Sequence, residues 1–156
     1  TLYAGLVGTL ILIAFMILYY KGFGFVASLA LLVYMIITLA IFKLFGITLT
    51  LAGIAGFILS IGMAVDANIL IFERTKEEIK KGSSKTTAIS EGFKRAWPSI
   101  RDSNVTTMIT AVILYYFTSG FVQGFALALL IGVVISMFSA IIVTRSFLNT
   151  IIKDHA

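Results

Sequence analysis

Two aspartates stand in otherwise apolar parts of this sequence, and they are the residues best suited to chemistry. Asp66 lies near the end of a long apolar run, in the stretch GMAVDANILIFER at 62–74. Asp102 lies in PSIRDSNVTTMIT at 98–110. An ionised carboxylate inside hydrocarbon costs roughly 2.5–3.5 kcal/mol on insertion scales, so a carboxyl retained there needs a function or a bonded partner.

Amide and hydroxyl side chains accompany both carboxyls, and the supporting polar residues are Asn68, Asn104, Thr106 and Thr107. Ser103 and Thr110 share a helical face with the two threonines. If Asp66 faces the protein interior, these groups supply hydrogen bonds and water, while desolvation favours the protonated carboxyl. We therefore predict a proton relay through Asp66 and Asp102, which lie at comparable depth. The alternative is a structural hydrogen bond from a permanently protonated Asp66.

The composition defines the class of protein. Of 156 residues, 60% are hydrophobic and 12% are charged, against about 25% charged in soluble domains. The apolar runs are long enough for transmembrane helices rather than barrel strands. Cysteine is absent and His155 is the only histidine. The residues needed for a zinc site or a histidine-based catalytic triad are therefore missing from the sequence. We expect no enzyme activity and no cofactor besides the coupling ion, which is H⁺ or, as an alternative, Na⁺.

Five apolar segments predict an all-α membrane protein with five transmembrane helices in a single domain over 1–156. The expected helices cover about 2–20, 25–42, 47–72, 98–118 and 125–148, each near the length that crosses a ~30 Å core. Residues 73–97 carry much of the charge, and Ile89, Phe93 and Trp97 share one face, which predicts a short amphipathic helix on the membrane surface. Pro98 is expected to begin the fourth span, where its missing N–H does no harm.

Small residues recur every four positions in the third and fifth segments. Such stripes let helix backbones approach closely in lipid. The residues expected at this contact are Gly56, Ser60, Gly124, Gly132 and Ser136. Both a sliding contact and plain tight packing fit the pattern, and both place these two helices centrally. The first two segments are uniformly apolar and are expected to lie toward lipid.

The distribution of basic residues predicts the orientation. If the first helix runs inward, all of the 12 lysines and arginines except Lys43 lie on the cytoplasmic side, as the positive-inside rule requires. The N-terminus is then extracytoplasmic and the C-terminus cytoplasmic. The same distribution assigns the basic charge to the cytoplasmic face next to membrane lipids, so we expect no nucleic-acid partner.

Several strings resemble the C-terminal membrane region of the SecD family, a membrane subunit of the bacterial SecDF protein-export complex in the RND superfamily. The strings span nearly the whole chain in order: YYKGFGFVASLAL at 19–31, GMAVDANILIFER at 62–74, AISEGFKRAW at 88–97, DSNVTT at 102–107 and IIVTRSFL at 141–148. The sister family SecF is similar in outline but differs around its membrane aspartate.

The resemblance implies half of an RND-type membrane module in the bacterial inner membrane. It implies a subunit that uses the proton-motive force to assist preprotein export, with the family's intramembrane aspartate at Asp66 and its polar motif at Asp102, Asn104, Thr106 and Thr107. The implied partners are a SecF-like subunit, a SecYEG-type translocon and, through an extracytoplasmic domain, the preprotein. Because the chain opens abruptly in an apolar helix, we expect it to have been cut from a longer protein.

Three other functions remain as alternatives. The first is an exporter of lipids or small molecules from the same superfamily. The second is a passive membrane anchor with structural aspartates. The third is an intramembrane aspartyl protease, which needs two carboxylates sharing a proton; the GxGD string of those proteases is absent here.

Overall fold

The computed structural model describes residues 2–144 together with Ser146, and this part of the chain is helical with short connections. The elements are α1 (Leu2–Tyr20), α2 (Gly22–Leu44), α3 (Leu51–Lys80), α4 (Lys85–Phe117), α5 (Phe121–Phe138) and a π-helical segment over Ser139–Thr144. The predicted all-helical class is confirmed. The expected end of the fifth span, near residue 148, lies outside the described residues.

Four of these helices are long and apolar enough to cross a membrane, namely α1, α2, α3 and α5 with its π-helical continuation. The helix α4 is not among them. It carries charged side chains through its first half and becomes apolar only toward Phe117. The expected total of five spans therefore depends on whether α4 crosses the membrane.

The centre of the fold is the three-helix group of α3, α4 and α5, which pack against one another. Gly56, Ser60, Gly132 and Ser136 are buried, and Gly124 is half-buried. Small side chains bring α3 and α5 together because they let the two backbones approach. The outermost helix is α1, which leaves most of its large apolar side chains exposed, as a helix facing lipid does.

A buried hydroxyl pair joins α2 to this centre. The Tyr34 Oη lies 2.5 Å from the Ser60 Oγ, and the Ser60 hydroxyl donates to the Phe57 carbonyl at 2.7 Å. Tyr34 is therefore the donor to Ser60. Both residues are fully buried. The expectation that α2 lies toward lipid is wrong for the face that carries Tyr34, because a hydrogen bond in an apolar environment holds that face inward.

Residues 73–97 form an antiparallel helical hairpin, and the expected amphipathic stretch with Ile89, Phe93 and Trp97 is the first part of the long helix α4 and not a separate short helix. The helix α3 continues to Lys80 and α4 begins at Lys85, so Pro98 lies inside α4 and does not start it. Proline inside a helix costs about 3 kcal/mol. Ile89 and Phe93 are buried in the main core, and this tertiary packing outweighs the cost. The third span also differs from its predicted start. Residues 47–50 are not helical, and Thr50 caps α3 by accepting a hydrogen bond from the Gly53 N–H.

Ion pairs of Arg95 connect the two helices of this hairpin. The Arg95 guanidinium lies 2.5 Å from the Glu78 Oε1 and 3.4 Å from the Glu77 Oε2. The Lys81 ammonium lies 2.7 Å from the same Glu78 oxygen. The hydrogen bonds from Lys81 and, after it, from Arg95 hold the pKa of Glu78 below its usual value of 4.5.

We expect the hairpin to loosen in acid. The folded pKa of Glu78 is lower than the unfolded one, so its ion pairs contribute stability above pH 4.5 and lose it as pH falls through the folded value. The measurement is amide hydrogen exchange of the hairpin in the membrane-embedded protein, from neutral pH to below the usual carboxyl value. Glu78→Gln is the control, in which this acid response should be reduced. An identical acid response in the two proteins would contradict the assignment.

Candidate functional site

Asp66 lines a cavity of about 190 Å³ between α3 and α4. The cavity is large enough for several water molecules. Its lining residues are Met63, Asp66, Ala67 and Leu70 from α3, and Ile100, Ser103, Asn104 and Thr107 from α4. Each set follows the three- and four-residue spacing of one helical face, so the cavity is the seam where two faces meet.

The α4 side of the cavity presents oxygen acceptors. The Ser103 hydroxyl donates to the Ile100 carbonyl at 3.1 Å, and the Thr107 hydroxyl donates to the Ser103 carbonyl at 3.1 Å. Each hydroxyl thus uses its hydrogen within α4 and keeps oxygen lone pairs for another donor. Such a lining suits a protonated carboxyl, water or a small cation. Asn104 adds an amide that is 95% buried, since its exposed fraction is 5%.

Asp66 itself is exposed, on the open side of the cavity. In a bilayer a carboxyl in that position meets lipid unless another protein surface or water covers it, and lipid contact is costly. The same side of α4 is polar, since Ser103, Thr106 and Thr110 are also exposed. The two helices therefore present several polar side chains on this surface, and of these the Asp66 carboxyl is the costly one to expose to lipid.

The structure brings some of the predicted site residues together and leaves others apart. Asn104 and Thr107 join Asp66 in the cavity lining, whereas Asn68 and Thr106 do not. Asn68 is buried elsewhere on α3, and the Thr106 hydroxyl donates to the Asp102 carbonyl at 2.8 Å.

Asp102 also lies outside the cavity lining. Its carboxylate accepts a hydrogen bond from the Arg101 Nε at 2.9 Å, and its side chain is 66% exposed. The two carboxyls are thus in different surroundings, one at the open side of a cavity between two helices and one in an exposed ion pair. Among the described residues, no cluster of three metal-ligating side chains occurs.

The apolar members of the lining were missed by the reading of the sequence. Met63 and Leu70 flank Asp66 at three- and four-residue spacing, and Ile100 stands in the same relation to Asn104. That spacing is the signal that could identify them, but apolar residues in an apolar helix do not stand out.

These features define a class of protein: a multi-helix membrane protein with a carboxyl at a cavity between two central helices, large enough for several water molecules. The chain belongs to the SecD/SecF family of protein export membrane proteins, because the family model described as "Protein export membrane protein SecD/SecF, C-terminal" matches residues 1–154. The resemblance drawn from the sequence strings is confirmed.

Known relatives agree with this assignment. The protein translocase subunit SecD of Thermobaculum terrenum is 55% identical over 154 residues, which cover 96% of this chain and 30% of that protein. The subunit of the same name from Synechocystis is 53% identical over 152 residues, which cover 97% of this chain and 32% of that protein. This chain thus spans about a third of the length of these curated relatives.

Two solved structures share the fold. The crystal structure of SecDF, a translocon-associated membrane protein from Thermus thermophilus, superposes with a TM-score of 0.93 at 40% identity, over 99% of this chain and 22% of that one. SecDF in a super-membrane-facing form gives 0.91 at 42% identity, over 96% and 21%. The chain is therefore similar to the membrane part of a SecD-type translocase subunit.

Proposed function

We propose that this chain is the membrane part of an accessory subunit of the Sec translocase, in which ion flow driven by the proton-motive force assists preprotein export. The names of its relatives support the export role. The observation that carries the ion role is a carboxyl, Asp66, at an acceptor-lined cavity between two helices. Ionisable residues within membrane helices are rare, and they mark ion pathways and proton relays.

The proposal includes a fifth membrane span on α4, completing half of an RND-type module. From Pro98 to Phe117 this helix is about 30 Å long at 1.5 Å per residue, which matches the hydrocarbon core. Its packing against α3 and α5 supports this placement. The chain would lie in the bacterial inner membrane, with its N-terminus outside and its C-terminus and the α3–α4 hairpin in the cytoplasm.

In the proposed mechanism Asp66 binds and releases H⁺, with Na⁺ as the alternative ion. Ser103 and Thr107 present oxygen acceptors that hold water or the protonated carboxyl in place. Each charge that crosses gains about 2.3 kcal/mol per 100 mV of membrane potential. Asp102, exposed toward the hairpin end of α4, would exchange protons between this cavity and the cytoplasm.

The polar surface around Asp66 is the proposed contact with a SecF-like subunit. A protein partner that covers it would remove the cost of exposing Asp66 and the hydroxyls of α4 to lipid. The SecYEG-type translocon and the preprotein would be engaged through the parts of the longer relatives that this chain does not cover.

The proposal is tested by infrared difference spectroscopy of the full-length subunit with its partner in lipid bilayers. We expect the carbonyl stretch of a protonated carboxyl to appear and disappear with pH in the native protein. Asp66→Asn should remove this band, and Asp102→Asn should leave it in place. A band that stays constant at every accessible pH would favour a structural hydrogen bond and a passive anchor.

A further inference from the structure

A second cavity, of about 400 Å³, lies at the other end of the three central helices. It is bounded by residues 45–50 before α3, by the first turns of α3 and α5, and by the last turn of α4. The Gln123 amide there donates to the Tyr115 carbonyl at 3.0 Å, and Thr48 is exposed. In the proposed orientation this cavity opens to the extracytoplasmic side.

A compact apolar cluster lies between the two cavities. Ala111, Leu129 and Val133 form its buried centre, and Met63, Met108, Phe125 and Leu130 pack against it. This cluster is separate from the larger core that contains Tyr34 and Phe72. It is built entirely from α3, α4 and α5. Of these helices, α3 and α4 line the Asp66 cavity, and all three border the second cavity.

The register of α4 shows how thin this separation is. Thr107 lines the Asp66 cavity, Ala111 lies in the apolar cluster, and Tyr115 lines the second cavity. These residues are four positions apart on one helical face, so Thr107 and Tyr115 are separated by about 12 Å. On α3, Met63 both lines the Asp66 cavity and packs on the cluster. The barrier is therefore about two helical turns thick.

We propose that Ala111, Leu129 and Val133 form a closed hydrophobic gate between the extracytoplasmic cavity and the Asp66 cavity. The proposal rests on the proposed ion-coupled function and names the residues that control access of the ion. Apolar constrictions block ions because water leaves them. With alanine on α4, the seal depends on Leu129 and Val133 of α5, so a small separation of α4 from α5 would let water join the two cavities.

The test measures how fast a small cation reaches the Asp66 cavity. A single cysteine is placed by Thr107→Cys in the full-length protein, freed of other cysteines, with its partner subunit in proteoliposomes. Ag⁺ is added from the side of the 45–50 loop, and the unreacted thiol is counted after denaturation. Thr48→Cys, in the second cavity, reports that the reagent reaches this side.

We expect slow reaction in the parent and at least a tenfold faster reaction when Leu129→Ala is added. The matched control is Val134→Ala on α5, where the valine is 51% exposed. This change should leave the reaction rate unchanged. Should Leu129→Ala fail to fold, Val133→Ala serves as the second variant and should act in the same direction.

Two results would overturn the gate. One is fast reaction of the parent, which would mean that no barrier exists. The other is a rate that neither α5 variant raises, which would place the barrier elsewhere. The reaction needs no titrating carboxyl, so the difference should persist in an Asp66→Asn background. Failure of the gate and failure of proton carriage are therefore separable, because only the second changes the infrared band.

Discussion

Replacing Asp66 by asparagine is expected to abolish the ion-driven stimulation of export while the protein still inserts and folds. Asparagine has nearly the same size and keeps hydrogen-bonding groups at the cavity, but it cannot release a proton at any accessible pH. Export should fall to the level reached without a proton-motive force. The measurement is preprotein translocation by vesicles that contain the full-length variant, with and without an uncoupler.

The control for this experiment is Asp102→Asn. The Asp102 carboxylate is 66% exposed, is paired with Arg101 and lies outside the cavity, so we expect a smaller loss than at Asp66. Equal and complete losses would assign Asp102 to the same obligatory proton step. Normal uncoupler-sensitive export by Asp66→Asn would reject the relay.

The different positions of the two aspartates show what a helical pattern can predict. The spacing of Asp66 within α3, and of Asn104 and Thr107 within α4, was enough to predict that these polar groups share a site. The sequence could not orient α4 about its axis relative to α3. Asp102 precedes Ser103 by one residue, which turns it about 100° away from the lining. Such a rotation is set by packing between helices and leaves no mark in local spacing.

The helical hairpin over residues 73–97 is a second feature that local sequence patterns do not predict. The rule that proline occupies the first turn of a helix is local, and it predicted a new helix at Pro98. In the structure Gly92 lies so close to Thr75 that a Cβ at Gly92 would be 2.7 Å from the Thr75 nitrogen. The two helices of the hairpin are therefore packed backbone to backbone. This contact between distant residues holds α4 helical through the proline, and local propensity contains no information about it.

The second large effect is expected at Gly132, where α5 meets α3 and α2. A Cβ at this position would lie 2.5 Å from the Ser60 Cβ and 2.9 Å from the Tyr34 Oη. Gly132→Ala should therefore push α5 away from α3 and strain the Tyr34–Ser60 hydrogen bond. Overpacking of this kind costs about 1–3 kcal/mol. The measurement is unfolding of the membrane-embedded full-length protein by denaturant or heat.

The matched control is Gly62→Ala on α3, where an added Cβ would find no atom within 4 Å. Alanine there should be neutral or should stabilise the helix by up to about 1 kcal/mol. Equal stabilities of the two variants would mean that α3 and α5 are not in close contact at Gly132.

A compensating change separates this contact from a general loss of helix quality. Ser60→Gly removes the side chain that the new methyl group would strike, at the cost of the hydrogen bond with Tyr34. Combined with Gly132→Ala, it should cost less than the sum of the two single changes, by about 0.5–3 kcal/mol for residues in contact. If the losses of unfolding free energy were strictly additive, the destabilisation by Gly132→Ala would arise outside the contact between α3 and α5. A measured coupling would confirm the close contact between α3 and α5 at Gly132. The Asp66 cavity lies beside this contact, between α3 and α4, and the apolar cluster of the proposed gate is built from α3, α4 and α5.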